Sequence, residues 1–356
     1  MRRFPALLLF SIFLLPLALG SCATRAKTPL VIYAAGSLIK PFGDLEKAFE
    51  NLHPDIDVQS EYHGSIQVMR QVTDLHVAVD VVATADTSLI PLVMYQTTNP
   101  DTGKPYGSWY LRFATNKLAL AYSPKSKYAS QINSQNWVDI IRRPDVKVGL
   151  ADPRFDAVGY RGLMVLEMAN AVYHKADLLG DLLESQFRYP VTVARSDIAT
   201  VIHVPEILET VDNAHIILRG ASMQVIALLQ SGDVDYAFEY ESVIQQDGLQ
   251  MVQLPDSLNL GSPGQNAAYG QVSVLLDFQR FAKIKPQFKG EQIGYGITIP
   301  TNALHPQEAA LFIAFLLSPE GRKIMADDHH PEFDTITTAD YANVPSALQP
   351  LSQPQP

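Results

Sequence analysis

Five short segments carry residue types that can hold an anion or a metal. AAGSL at 34–38 and HGSIQ at 63–67 each set a Gly-Ser pair where a strand-like run gives way to a helix-like one. A serine at that corner can cap the helix with its hydroxyl. The same corner presents unpaired backbone N–H groups, which favour an anion. Ser37 and Ser65 therefore read as caps or as anion ligands. Their repetition after consecutive strands strengthens the second reading, because ligands of open α/β folds gather at the carboxyl ends of parallel strands. RGASMQ at 219–224 opens a further helix at Ser222, with Met223 next to it. In ADPRFDAVGYRG (151–162), Asp152 reads as solvating a turn. Asp156, beside Ala157, stands closer to a helix start, where the dipole favours a carboxylate. FEYES at 238–242 ends a strand on Glu239 and Tyr240, which singly would read as solvated and packed. His329 and His330, beside Asp327 and Asp328, read as a solvated run rather than a metal site. There is no HExxH, no P-loop, no cysteine pair and no GxSxG elbow, so the usual signatures of metalloprotease, NTPase and serine hydrolase are missing.

The elements that must position these residues alternate. LVIYA (30–34), IDVQSEY (56–62) and VDVVATA (79–85) read as strands. Between them, Phe42, Leu45, Phe49 and Leu52, then Ile66, Met69, Val72 and Leu75, recur at helical spacing. A second set follows: LALAYS (118–123), VKVGLAD (146–152), a helix with Leu163, Leu166, Ala169, Val172 and Tyr173 on one face, a helix stopping at Gly232, and the strand VDYAFEY (234–240). Segment 177–218 is more charged and reads as an irregular insertion. GYGITIP (294–300) and the two helices of 306–325 are expected to rejoin the first set. The pattern predicts an α/β protein of two lobes with a mostly parallel sheet, the chain crossing between the lobes more than once to make a hinge that can close around a ligand. The expected division is 29–113 plus 293–343 for the first lobe and 114–292 for the second.

The chain's single cysteine, Cys22, closes LALGSC behind Arg2, Arg3 and an apolar stretch. That is the layout of a secretory signal over 1–21, with Cys22 as the lipidated first mature residue and 22–28 as a linker. The apolar run, broken by Pro5 and Pro16, is short for a membrane span. After lipidation no thiol would remain, so the core must supply stability. The net charge of −10 and the want of a long basic run point away from nucleic acid. Residues 344–356, rich in Pro, Gln and Ser, are expected to be a disordered tail.

The segments AAGSL, HGSIQVMRQV, DVVATAD, WYLRFATNKLALAY, DAVGYRG, DYAFEYESV, LPDSLNLG, YGITIP and FLLSPEGRKIM occur in an order and spacing that resembles the molybdate/tungstate-binding proteins of ABC importers, in their archaeal-type branch. The resemblance runs from about Leu30 to about Pro345. It implies the type 2 periplasmic binding-protein fold, two α/β lobes joined by crossing hinge strands around a central ligand cleft. It also implies an oxyanion site at Ser37, Ser65, Ala157 or its neighbours, Ser222 or Met223, and Tyr240. Two carboxylates, Asp156 and Glu239, would bind the metal directly and make it six-coordinate. The ligand would be tungstate or molybdate, with no cofactor and no catalysis. The partners would be a permease and ATPase complex and the membrane that holds the Cys22 lipid, with the protein itself monomeric and outside the cytoplasm. The sequence departs from relatives in the run Asp152, Pro153, Arg154, Phe155, Asp156, Ala157, Val158, where an Asn-Pro-Asn-Asp-Pro-Cys type run is usual.

The chemistry is consistent. Several neutral donors share the charge of a dianion in a closed cleft without a paired lysine. A carboxylate beside that dianion repels it, or takes a proton, unless its oxygen bonds a high-valent metal. Two carboxylates reaching in from opposite halves would thus reject sulfate and accept molybdate or tungstate. Other oxyanions, ferric ion, or an enzyme or sensor on the same fold are the competing expectations.

Overall fold

The computed structural model describes residues 26–278 and 286–355; Cys22 and its apolar lead lie outside them. The chain opens with β1 (Thr28–Ala35), α1 (Ile39–Leu52), β2 (Ile56–His63), α2 (Ser65–Thr73) and β3 (Val81–Thr84), with β1 parallel to both β2 and β3. All four residues of β3 are buried, as expected of a strand covered on both faces. The chain then runs through β4 (Leu111–Thr115), crosses at Asn116 and Lys117, and enters a second sheet as β5 (Leu118–Tyr122).

The second half contains α3 (Trp137–Ile140), β6 (Val148–Ala151), α4 (Ala157–Val172), α5 (Leu178–Leu183), β7 (Thr192–Arg195), β8 (Thr200–Pro205), β9 (Ile216–Arg219), α6 (Ser222–Ser231), β10 (Tyr236–Tyr240), α7 (Glu241–Gln246), β11 (Gln250–Gln253), α8 (Asn266–Tyr269), β12 (Val272–Asp277) and β13 (Gln287–Lys289). Then β14 (Gly294–Thr298), α9 (Pro306–Leu316), α10 (Pro319–Asp327), β15 (Glu332–Thr338) and β16 (Gln353–Pro354) return to the first sheet. The first sheet has the order β16-β15-β4-β14-β3-β1-β2, the second β11-β5-β10-β6-β9, and a third β13-β12-β8-β7. The architecture is α/β with two lobes, and the chain passes between them more than once.

Four expectations need correction. Segment 177–218 is regular: β9 pairs with β6 inside the second sheet, while β7 and β8 build the third sheet with β12 and β13. That extra sheet explains the second correction. α4 buries every residue from Ala157 through Glu167 rather than one stripe, because β6 and β10 cover one side and α5 and β12 the other. The 344–356 tail is ordered through Gln355: Val344 and Leu348 are buried, and Gln353–Pro354 pairs with Thr337–Thr338. Two apolar anchors outweigh its polar composition. Finally, Asp328 and His330 are buried rather than solvated. The His330 ring stands edge-on to Tyr295 at 4.5 Å, and burial pushes its pKa down to about 3.

Candidate functional site

The site forms where helix starts from both lobes meet. Ser37 lies in the short turn before α1, 5% exposed, with its hydroxyl 2.8 Å from the Tyr295 hydroxyl of β14. Asn116 Nδ2 donates to that same tyrosine at 3.3 Å and to Ser242 Oγ at 2.8 Å. Ser65 opens α2 but does not cap it. Its hydroxyl accepts from Ala85 N at 3.0 Å, at the end of β3. The first amides of α2 are served from the other lobe: Ile66 N and Gln67 N donate to the Phe155 carbonyl at 3.1 and 3.4 Å. The lobes are therefore closed on each other, with a second-lobe carbonyl at the positive end of a first-lobe helix.

Asp156 holds two helix starts together. One carboxylate oxygen accepts from Val158 N at 2.9 Å, capping α4, and the other accepts from Ser222 N at 2.9 Å, at the start of α6. Glu239, 1% exposed on β10, accepts from Tyr240 N at 2.8 Å. The Ser222 side chain adds to the pull that favours the charged form of both carboxyl groups. The two acids do not come from opposite halves. β6 and β10 are parallel neighbours in the second sheet, so Asp156, just past β6, and Glu239 both belong to the second lobe. The pair is therefore built within one lobe.

The remaining candidates fall around this pair. Ala157 is buried as the first residue of α4. The Met223 sulfur packs across the cleft toward Gly36, 3.7 Å from where a Cβ there would sit. Tyr240 receives Arg161 Nη1 on its hydroxyl at 2.5 Å. Asp152 keeps to the turn, accepting from Arg154 N and pairing with the Arg154 guanidinium. Sequence reasoning did not single out Tyr160, Arg161 and Asp86. Arg161 pairs with Asp86 at 3.3 Å, and Tyr160 donates to the same carboxylate. The available signal was ATAD: Asp86 follows β3, the same strand-end position as the residues that were chosen.

Burial dominates the electrostatics. It pushes the Glu239 carboxyl up to about 8, and the nearby Asp156 charge adds to the rise. Asp156 is also raised by burial, against the pull of its amide donors and Arg161. In the ligand-free site Glu239 thus favours its neutral form more than it does in water. Its folded value lies above its ordinary 4.5, so its stability contribution is full below that value and is lost as pH rises through the folded one. Glu332, pushed up to about 7, acts with the same sign. The melting temperature of the ligand-free protein should therefore fall from about pH 5 to about pH 9, and Glu239→Gln should make the fall shallower. Equal slopes in a thermal-shift titration of the two proteins would refute this assignment.

Among the described residues no group of three or more His, Cys, Asp or Glu side chains could hold a metal ion. Nor is any helix there long and apolar enough to cross a membrane.

A family model described as "Bacterial extracellular solute-binding protein" matches residues 30–329. The molybdate/tungstate-binding protein WtpA of Thermococcus kodakarensis is 32% identical over 97% of this chain and 96% of its own length. An uncharacterized solute-binding protein of Staphylothermus marinus is 34% identical over 91% of this chain and 88% of its own. Among solved structures, the periplasmic molybdate-binding protein of Azotobacter vinelandii superposes with a TM-score of 0.54 at 15% identity, covering 85% of this chain and 98% of its own. The sulfate-binding protein SubI of Mycobacterium tuberculosis reaches the same TM-score at 15% identity, covering 86% and 88%. These two likenesses concern the fold.

Proposed function

From the premise that the chain belongs to the bacterial extracellular solute-binding protein family, we propose that it captures tungstate or molybdate and delivers it to the permease of an ABC importer. It binds solute and catalyses nothing, in keeping with its family. The observation that carries the reading is the buried Asp156–Glu239 pair, set among helix N-termini whose amides can serve oxygens. Such a pair suits a metal that arrives with its own oxo ligands. Asp156 and Glu239 bond the metal, while Ser37, Ser65, Ala157, Ser222, Met223 and Tyr240 line the oxygens through hydroxyls or backbone amides. Because the acids share one lobe, the second lobe receives the ion first, and the first lobe closes over it with Ser37 and Ser65.

The LALGSC run supports cleavage before Cys22 and lipidation there, which tethers a monomeric domain to the outer face of a membrane. We place the divisions between the lobes near 113/114 and 292/293, and the passage from β4 in the first sheet through Asn116 and Lys117 to β5 in the second supports a crossing close to the first of them. Differential scanning fluorimetry with tungstate, molybdate, sulfate and phosphate tests the reading. Tungstate or molybdate at about a hundred times its Kd should add about 2.7 kcal/mol of stability and raise the melting temperature, with sulfate and phosphate inert. An equal shift with sulfate would sink it.

A further inference from the structure

We propose that Arg161 and Asp86 form the clasp of the closed cleft, a buried ion pair across the lobes that sets how slowly the bound ion leaves. The proposal rests on the oxyanion-binding reading above. Asp86 belongs to the first lobe, where one of its oxygens accepts from Ser88 N at 2.9 Å and from the Ser88 hydroxyl at 2.7 Å. Its other oxygen faces the second lobe and takes Arg161 Nη2 at 3.3 Å and the Tyr160 hydroxyl. The Arg161 and Asp86 side chains are 4% and 6% exposed. Arg161 Nη1 also spans the gap, donating to the Ala85 carbonyl of the first lobe at 2.6 Å and to the Tyr240 hydroxyl of the second.

The clasp touches one neighbour of each ligand set. Ala85 N donates to Ser65 Oγ, and Tyr240 N donates to Glu239. Arg161 and Asp86 are thus positioning residues, which act through Ser65 and Glu239. When the lobes part, both charges can be hydrated; when they close, each is buried with the other as its ion-pair partner. Removing one partner strands a charge in the closed state, whereas removing both costs little. Asp86 lies on the lobe opposite Asp156 and Glu239, so its removal leaves the ion's first contact in the open cleft in place, whereas Arg161 shares their lobe, donates to Tyr240 and pulls on Asp156. Release should speed up in both single variants, with association held in Asp86→Asn.

The test is stopped-flow release of tungstate into excess molybdate, with small-angle X-ray scattering of the saturated proteins. Asp86→Asn and Arg161→Met should each speed release by roughly a hundredfold and give a larger radius of gyration, with association in Asp86→Asn unchanged within about threefold. The double variant should return to within about tenfold of wild type. Tyr160→Phe, which keeps its 4.4 Å stacking on Phe288, should speed release by about fivefold to tenfold, as for one lost hydrogen bond. Single variants that release at the wild-type rate, or a double variant as fast as the faster single, would overturn the clasp. If the charge variants do not fold, an unchanged rate in Tyr160→Phe overturns it. If wild-type protein takes up neither tungstate nor molybdate, the functional reading has failed instead. The clasp is then judged by scattering of the ligand-free proteins, where an unchanged radius in Asp86→Asn or Arg161→Met counts against it.

Discussion

Gly64→Ala weakens tungstate binding by roughly a hundredfold while leaving the ligand-free melting temperature within about 2 °C of wild type. The separation follows from where the new methyl group would go. Gly64 has φ −60° and ψ 143°, a conformation alanine adopts without strain. The atoms that oppose the substitution most closely belong to the second lobe. In the closed protein a Cβ would lie 2.3 Å from the Phe155 oxygen, 2.9 Å from its carbonyl carbon and 3.1 Å from Asp156 Cα. All three are backbone atoms of the second lobe, so no side chain can swing aside. The lobes must stay apart, and α2 loses the carbonyl that takes its Ile66 and Gln67 amides. Overpacking of this kind costs about 1–3 kcal/mol or more, charged entirely to closure. Gly43→Ala is the control, since a Cβ at that position of α1 meets nothing within 4 Å. Calorimetry should find wild-type affinity in the control. The same affinity in Gly64→Ala would mean that the ion binds without this closure.

The first βαβαβ set was legible because its information is local. β3 is a short apolar run closed by Thr84, and α1 buries Phe42, Leu45 and Phe49 at helical spacing. The α2 stripe was legible as far as Val72. Leu75 falls past the helix end at Thr73 and is exposed. α4 was misread as one-faced because its outer cover, β12, is about a hundred residues further along the chain. The candidate site divides in the same way. Ser37, Ser65, Asp156 and Ser222 each sit at a strand-to-helix corner that neighbouring residues announce. That Asp156 and Glu239 share a lobe depends on the strand order β5-β10-β6, which is not sequential. The Arg161–Asp86 pair and the Tyr295 hydroxyl behind Ser37 bring together residues far apart in sequence. Such pairs exist only once the fold is assembled, so no local pattern marks them.

Glu239→Gln should yield a ligand-free protein that is more heat-stable than wild type at about pH 8–9, yet binds tungstate at least about a hundredfold more weakly and sulfate no worse. Burial already drives Glu239 toward its neutral form, and glutamine has nearly the shape of that neutral acid. The substitution removes a charge the apo protein is strained to carry, and its side-chain oxygen can still accept the Tyr240 amide. What it cannot supply is an anionic oxygen for a high-valent metal. Sulfate has no such demand and is repelled by the carboxylate, so losing the charge should leave its binding equal or tighter. Asp156→Asn separates the two effects less cleanly. Asp156 must accept Val158 N and Ser222 N together. An asparagine has a single acceptor oxygen, so one buried amide is left unpaired at a cost of about 1–3 kcal/mol in stability. A drop in melting temperature with loss of tungstate is therefore expected for Asp156→Asn, against a rise with the same loss for Glu239→Gln. Thermal melts and paired titrations with tungstate and sulfate check both. Tungstate affinity that survives in Glu239→Gln would show that the second carboxylate does not touch the metal, leaving the choice against sulfate to the hydroxyl and amide shell alone.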